Sequence, residues 1–289
     1  RRQRQMCIRD SGKGLIKSSI RGDDLFILCD VGNYSCTYNY FGRENSMSPD
    51  DHYQDLKRII QAAGGKAHRI NIIMPSLYGG RQHRRNYRES LDCAVALQEL
   101  QSMGVSNILT FDAHDPRVQN AVPLMGLDNI IPSYQVLKAM FKNLSDFRPD
   151  KDHFMIISPD EGAINRNMYY ASVLGVNLGM FYKRRDYSTI IDGRNPIVAH
   201  EYMGNDVAGK DVFIADDIIS SGESMLDIAV ELKKRKANKI YCYATYPIFT
   251  NGLESFNKAY ADGIIDGVFG TNLTYRTPEL LSSPWFYEV

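Results

Sequence analysis

The chain has 289 residues, 44% of them hydrophobic, which is long enough for two α/β domains. Lys+Arg and Asp+Glu both number 34, so the formal charge is zero and nothing global points to nucleic acid or an anionic membrane; small molecules and other subunits are the expected partners. No apolar run approaches the roughly 20 residues that span a bilayer, and the five cysteines (Cys7, Cys29, Cys36, Cys93, Cys242) are odd in number and dispersed without a CxxC pair, which predicts a reduced, cytoplasmic protein.

The opening RRQRQMCIRDS has no initiator Met, no apolar signal core and no hydrophobic periodicity, so it is set aside from fold reasoning. DLFILCD (24–30) reads as the first strand and is followed by a helix near 49–63, a strand INIIMP (70–75), a helix near 89–103, a strand NILTFDAH (107–114) and a helix near 133–144. The polar, Pro-bearing stretch NLSDFRPDKDH (143–153) predicts a domain boundary near 148, giving domains 12–148 and 149–289. The alternation then resumes: strand HFMIIS (153–158), helix 161–174, strand NLGMFY (177–182), strand DVFIAD (211–216), helix 222–236, strand KIYCYAT (239–245) and helix 252–260. Segment 184–210 is too long for an ordinary connection and is expected to be an active-site flap or hairpin. In the helix at 222–236, Met225, Ile228, Ala229 and Leu232 fall at i, i+3, i+4, i+7 and predict the buried face, while KKRK (233–236) closes the last turn. Near-continuous apolar strands alternating with helices predict parallel sheets with helices on both faces. SSPWFYEV at the end reads as the start of another strand, and a fragment of a longer protein is expected.

The chemistry concentrates in DVFIADDIISSGESM. A strand ends in Asp216-Asp217, a small-residue loop (Ser220, Ser221, Gly222, Ser224) follows, and a helix begins at once. Ligands bind at the C-terminal ends of parallel strands; a small-residue loop lets backbone N–H groups approach a phosphate, and the helix N-terminus adds positive potential. Two carboxylates just upstream suit the vicinal hydroxyls of a ribose, or a Mg2+ bridging to them. A sugar 5-phosphate fits the whole. The bland alternative is that Ser220 or Ser221 caps the helix and Asp217 fills a turn.

VFIADDIISSGESM (212–225) resembles the phosphoribosyl-diphosphate (PRPP) binding motif shared by phosphoribosyltransferases and ribose-phosphate diphosphokinases. SIRGDDLFIL (19–28), GGRQHRR (79–85), TFDAHDPRVQN (110–120), IISPDEGAINR (156–166) and YKRRD (182–186) resemble, in order, landmark segments of the ribose-phosphate diphosphokinase (PRPP synthetase) family, from about residue 12 to 280. The resemblance implies two tandem phosphoribosyltransferase-like domains, each a mainly parallel α/β sheet flanked by helices, the first on the ATP side and the second on the ribose 5-phosphate side. It implies transfer of the β,γ-diphosphoryl group of ATP to the anomeric hydroxyl of ribose 5-phosphate, with Mg2+ as cofactor and a homo-oligomer with sites near subunit contacts. Residue by residue, Arg81 and Gln82 match an ATP-contacting pair, His114 the histidine of the metal-ATP site, Asp160 a Mg2+-holding aspartate, and Lys183 and Arg185 the lysine and arginine at the base of a catalytic flexible loop. Each has a bland alternative: a solvated basic face for Arg81 and Gln82, a structural histidine for His114, a helix N-cap for Asp160, a surface run for Lys183 and Arg185.

Three departures from the family pattern stand out. Ser220-Ser221-Gly222-Glu223-Ser224 replaces Asp-Thr-Gly-Gly-Thr, His83 stands where an Asp follows Arg-Gln, and RDSGKG occupies the place of Phe-x-x-Gly-Glu. Two other classes compete with the synthetase: a phosphoribosyltransferase, which needs only one of the two domains, and a non-catalytic regulatory homologue, which the altered phosphate loop favours.

Overall fold

A computed structural model of the chain describes residues 5–6, 12–85, 87–185 and 197–289, with side chains for 12–85, 87–182 and 201–289. It divides into two compact units: residues up to Pro132 together with Leu273–Tyr275, and Ser133–Asn272 together with Arg276–Val289.

The first unit opens with a short antiparallel ladder, β1 (Gln5–Met6) and β2 (Gly12–Lys13). Next come β3 (Asp24–Leu28) and a hairpin, β4 (Thr37–Tyr40) with β5 (Arg43–Ser46), whose turn residues Phe41 and Gly42 both have positive φ (51° and 69°), as a tight two-residue turn demands. Then follow α1 (Pro49–Ala63), β6 (Arg69–Ile73), α2 (Asp92–Ser102), β7 (Val105–Phe111), a 3-10 turn at Pro116–Ala121 and β8 (Gly126–Ile130). The sheet order β3-β6-β7-β8 is parallel throughout. Helix α1 starts where the sequence tells it to. Ser48 and Asp51 form a reciprocal capping box, Pro49 occupies the first turn, and Gly64 closes the helix in the left-handed conformation. Its face Leu56, Ile59, Ile60 and Ala63 packs with Leu97 and Leu100 of α2 onto Ile27, Ile70, Ile72 and Ile108 of the sheet. Each buried Leu or Ile among them contributes about 1.5–3 kcal/mol.

The second unit begins with α3 (Ser133–Asn143), earlier in the chain than the boundary near 148 that the polar stretch suggests. The reason is packing: Val136, Ala139 and Met140 of α3 share one core with Phe154, Ile156 and Phe213. The polar residues that follow form a surface turn, with Asp150 accepting from the backbone N–H of Asp152 and His153. Such a turn reads alike whether it joins domains or helix to strand.

After α3 come β9 (Phe154–Ser158), α4 (Ile164–Leu174), β10 (Asn177–Arg185), β11 (Ile197–Met203), β12 (Asp211–Ile219), α5 (Glu223–Lys234), β13 (Ile240–Pro247), α6 (Glu254–Ala261), β14 (Gly267–Gly270), α7 (Pro278–Ser282) and β15 (Phe286–Glu288). The seven strands run β11-β10-β9-β12-β13-β14-β15, all parallel except β11. Alternate residues serve opposite faces. Met155, Ile157, Val212, Ile214 and Cys242 join the core of α5 and α6, while Phe154, Ile156, Phe213, Ala215 and Tyr243 join that of α3 and α4. The predicted face of α5, Met225, Ile228, Ala229 and Leu232, is buried.

From β9 the chain winds outward to β10 and β11 and returns on the other side of β9 as β12. The C-terminal ends of β9 and β12 therefore flank a topological switch point, where adjacent connections leave in opposite directions and open a crevice. The long segment 184–210 contributes an antiparallel hairpin arm, with Lys183 opposite His200 and a register shift between Arg184 and Arg185; residues 186–196 of the expected flap lie outside the described residues. Among the described residues no helix is long and apolar enough to cross a membrane, and Cys29, Cys36, Cys93 and Cys242 are not in disulfides.

Candidate active site

The switch point of the second unit gathers most of the residues singled out from the sequence. Asp216 and Asp217 lie at the C-terminal end of β12, where Asp217 is 5% exposed. The Asp216 Oδ1 accepts the backbone N–H of Asp217 at 2.9 Å and faces Arg166 Nη1 at 3.7 Å. The Asp216 carboxyl is pushed well above the ordinary carboxylate range, first by burial and then by the charge of Asp217 and the hydrogen bond between the two side chains; Arg166 opposes the rise and Asp160 adds to it. Asp217 and Asp160 thus both act on Asp216, and the Arg166 guanidinium opposes them.

Beyond β12, Ser220, Ser221 and Gly222 lead into α5. Gly222 is its N-cap residue with φ +80°, and no side chain caps the helix, so the alternative in which Ser220 or Ser221 serves as the cap falls away. Ser220 Oγ instead lies 3.3 Å from Thr250 Oγ1, and Met225 and Leu226 both donate to the Gly222 carbonyl. The amides of Glu223 and Ser224, ahead of those two, open the helix in the field of its dipole, which favours an anionic acceptor there. Ser224 and Glu223 are exposed, so the carboxylate that replaces a family glycine has room to reach solvent. Gly222 is required in two ways: its φ is left-handed, and a Cβ there would sit 2.3 Å from Phe256 Cε2.

Asp160 follows β9 in the turn before α4. Its Oδ1 accepts the backbone N–H of Ala163 at 3.2 Å, and its carbonyl accepts from Ser158 Oγ at 2.8 Å. Part of the carboxylate therefore serves the turn ahead of α4, whose N-cap residue is Ala163 and not the Asp160 of the bland alternative, while its charge is felt at Asp216. Lys183 and Arg185 stand on β10, which pairs in parallel with β9; their side chains lie outside the described residues.

In the first unit the loops after β6 and β7, neighbours in the parallel sheet, meet at their C-terminal ends. Arg81 and Gln82 are exposed in the turn closed by the Gln82 N–H to the Gly79 carbonyl at 2.7 Å. His83 packs edge-on against His114, with ring centroids 5.2 Å apart, and its Nε2 lies 3.4 Å from Asp115 Oδ2. Burial holds the His83 imidazole below its usual range, with Asp115 opposing. Asp115 is itself depressed to about 2 because the Arg117 guanidinium binds it through both Nε and Nη2. A carboxyl depressed in the folded state stabilises the fold above its unfolded value, near 3.8, and loses that contribution as pH falls through about 2. Arg117→Gln is therefore expected to be less stable than the parent at pH 6 and to converge on it only as pH falls below about 2, a convergence that urea unfolding across that range would test.

Arg166 received no role from the sequence although it lies in a quoted segment. It sits in the first turn of α4, where a cation opposes the helix dipole and is unfavourable without an acidic partner. That misplaced charge was the available signal, and Asp216 answers it.

Two family models match the chain: the N-terminal domain of ribose phosphate pyrophosphokinase over residues 10–104, and the phosphoribosyl transferase domain over residues 127–263. A ribose-phosphate pyrophosphokinase of Ralstonia nicotianae is 27% identical over 261 residues, covering 89% of this chain and 72% of the relative. One of Shewanella oneidensis is 28% identical over 272 residues, covering 92% and 76%. The crystal structure of phosphoribosylpyrophosphate synthetase from Mycobacterium smegmatis shares the fold, with a TM-score of 0.79 at 19% identity over 100% of this chain and 85% of that one. With the switch-point carboxylates, the uncapped helix after them and both models in register along one chain, the protein belongs to the ribose-phosphate pyrophosphokinase family.

Proposed function

We propose that the protein transfers the β,γ-diphosphoryl group of ATP to the anomeric hydroxyl of ribose 5-phosphate, giving PRPP and AMP, with the first unit on the ATP side and the second on the ribose 5-phosphate side. The observation that carries this reading is the meeting, at one switch point, of a carboxylate pair with an uncapped helix N-terminus. The 5-phosphate accepts from the amides that open α5 and from the hydroxyls of Ser220, Ser221 and Ser224. Asp216 and Asp217 accept hydrogen bonds from the ribose 2- and 3-hydroxyls, which aims the anomeric oxygen. Arg81 and Gln82 hold ATP phosphates beside His114. The anomeric oxygen attacks the β-phosphorus, the bond to the α-phosphate oxygen breaks, and AMP leaves with that oxygen. Lys183 and Arg185 neutralise charge on the transferring group, so catalysis is chiefly positioning and electrostatic stabilisation.

Mg2+ suits this site. Among the described residues no cluster of three or more His, Cys, Asp or Glu side chains could hold an ion unaided. Mg2+ needs none, since it keeps several waters and binds through one or two carboxylates plus substrate phosphates. Asp216, raised first by burial and then by the charges of Asp217 and Asp160, is a carboxylate whose charged form a divalent cation favours; Asp160 would hold such an ion in the second unit, and His114 is the proposed ligand on the ATP side in the first. When bound it supplies charge neutralisation on the phosphates. Homo-oligomerisation and a cytoplasmic setting belong to the same reading.

Incubation with ATP and Mg2+, with and without ribose 5-phosphate, tests it. Equimolar AMP and PRPP formed only with the sugar phosphate are expected; a folded protein that binds ATP yet releases no AMP would establish the regulatory homologue instead.

A further inference from the structure

A buried polar side chain lies just behind the carboxylates, and nothing in the proposed chemistry uses it. Asn167, on α4, is fully buried. Its Nδ2 lies 2.8 Å from the Ala215 carbonyl, 2.8 Å from the Ala163 carbonyl and 3.3 Å from Ser158 Oγ. Each of those acceptors leads to a carboxylate. Ala215 precedes Asp216 on β12; Ala163 donates its N–H to Asp160; Ser158 Oγ donates to the Asp160 carbonyl at 2.8 Å and is itself fully buried. Meanwhile the Asn167 Oδ1 is buried with no hydrogen-bond partner among the described residues.

Burying a carbonyl without a partner is destabilising, and an apolar side chain of the same shape would escape that cost. The unpaired oxygen offsets part of what the amide's donors contribute, and what the side chain supplies that an apolar one cannot is directional: two N–H groups that tie a turn to a strand. We propose that Asn167 is a positioning residue, fastening the Asp160 turn to the strand that carries Asp216 and Asp217 and so setting the separation of the carboxylates across the ribose 5-phosphate site. The inference rests on the reading of that crevice as the sugar-phosphate site. The neighbouring Arg166 reinforces the arrangement from the same helix, since it faces Asp216 itself. Two consecutive residues of α4 thus contact consecutive residues of β12, Arg166 through the charge of Asp216 and Asn167 through the Ala215 carbonyl.

The test is the affinity for ribose 5-phosphate, measured by isothermal titration calorimetry with Mg2+ on the full chain, beside thermal unfolding. Asn167→Leu keeps the branched shape and removes the donors; it is expected to remain folded at the binding temperature while binding the sugar phosphate about tenfold more weakly, which is about 1.4 kcal/mol. Asn167→Asp replaces the amide with an acceptor when ionised and with a donor when protonated, and burial raises its pKa. Relative to the parent at each pH, it is expected to bind weakly at pH 8 and to recover at pH 6, a pH dependence that a purely structural role would not produce. Ser158→Ala removes only the relay to the Asp160 carbonyl and is expected to weaken binding about threefold, and it decides the matter if the Asn167 variants do not fold. Parent-like affinity in folded Asn167→Leu, or in Ser158→Ala when that variant alone folds, would overturn the proposal. A parent protein that fails to bind ribose 5-phosphate at all would remove the reading of the site, and the role of Asn167 with it; the two failures are therefore distinct.

Discussion

Lys183→Ala is expected to lower PRPP formation by about a thousandfold, the scale on which removing one donor to a developing anion acts, about 2.7–4 kcal/mol. Lys183 stands on β10 opposite His200, at the start of the hairpin arm and just before the register shift between Arg184 and Arg185. The strand ladder fixes its backbone relative to β9, whose C-terminal end carries the Asp160 turn. In the proposed reaction a lysine there would meet charge that grows only as the diphosphoryl group is in flight, so the loss is expected on kcat, with ribose 5-phosphate affinity near the parent value. Lys183→Arg keeps the charge with a different reach and is expected to retain part of the rate. Quenched-flow measurement of AMP and PRPP decides it. A fall of less than tenfold would return Lys183 to the surface run that its sequence neighbours Arg184 and Arg185 also suggest.

Gly222→Ala is expected to combine a stability loss with a binding loss. A non-glycine residue at φ +80° costs about 1–2 kcal/mol, and the added Cβ at 2.3 Å from Phe256 Cε2 and 2.5 Å from its Cζ adds an overpacking cost of about 1–3 kcal/mol. Phe256 has nowhere to go. It is fully buried, stacked on Trp285 at 5.6 Å and edge-on to Phe249 at 4.8 Å. The melting temperature of the second unit should fall by about 10 °C. Ribose 5-phosphate affinity should fall further than stability alone requires, because relief of the clash moves the amides that open α5. In a double-mutant cycle with Phe256→Leu, the two changes together should cost less than the sum of each alone. Strict additivity would mean that the loop relaxes without touching the aromatic cluster.

How much of this could be read from the chain differs by feature. The buried strands β9, β12 and β13 announce themselves because both their faces lie in cores, which makes the apolar run continuous. Strands β8 and β14 did not. GLDNI mixes polar residues because its burial is partial, and GVFG is four residues with glycine at each end. The hairpin of β4 and β5 was hidden in TYNYFGRENS, whose residues are largely exposed and carry no alternation. Its signal was the Phe41-Gly42 turn alone.

The sequence by itself determined the β-α order, the buried face of α5 and the string of carboxylates, hydroxyls and glycine that ends β12, because each of these is written in contiguous residues with a fixed period or spacing. Tertiary structure alone decided what those residues face. That α3 belongs to the second core, that Arg166 answers Asp216, that His83 meets His114 and Asp115, and that Asn167 joins two separate carboxylate-bearing segments all depend on strand order. The placing of β12 beside β9, with β10 and β11 sent the other way, is a long-range pairing that no local period encodes, and it is what turns distant aspartates into one crevice.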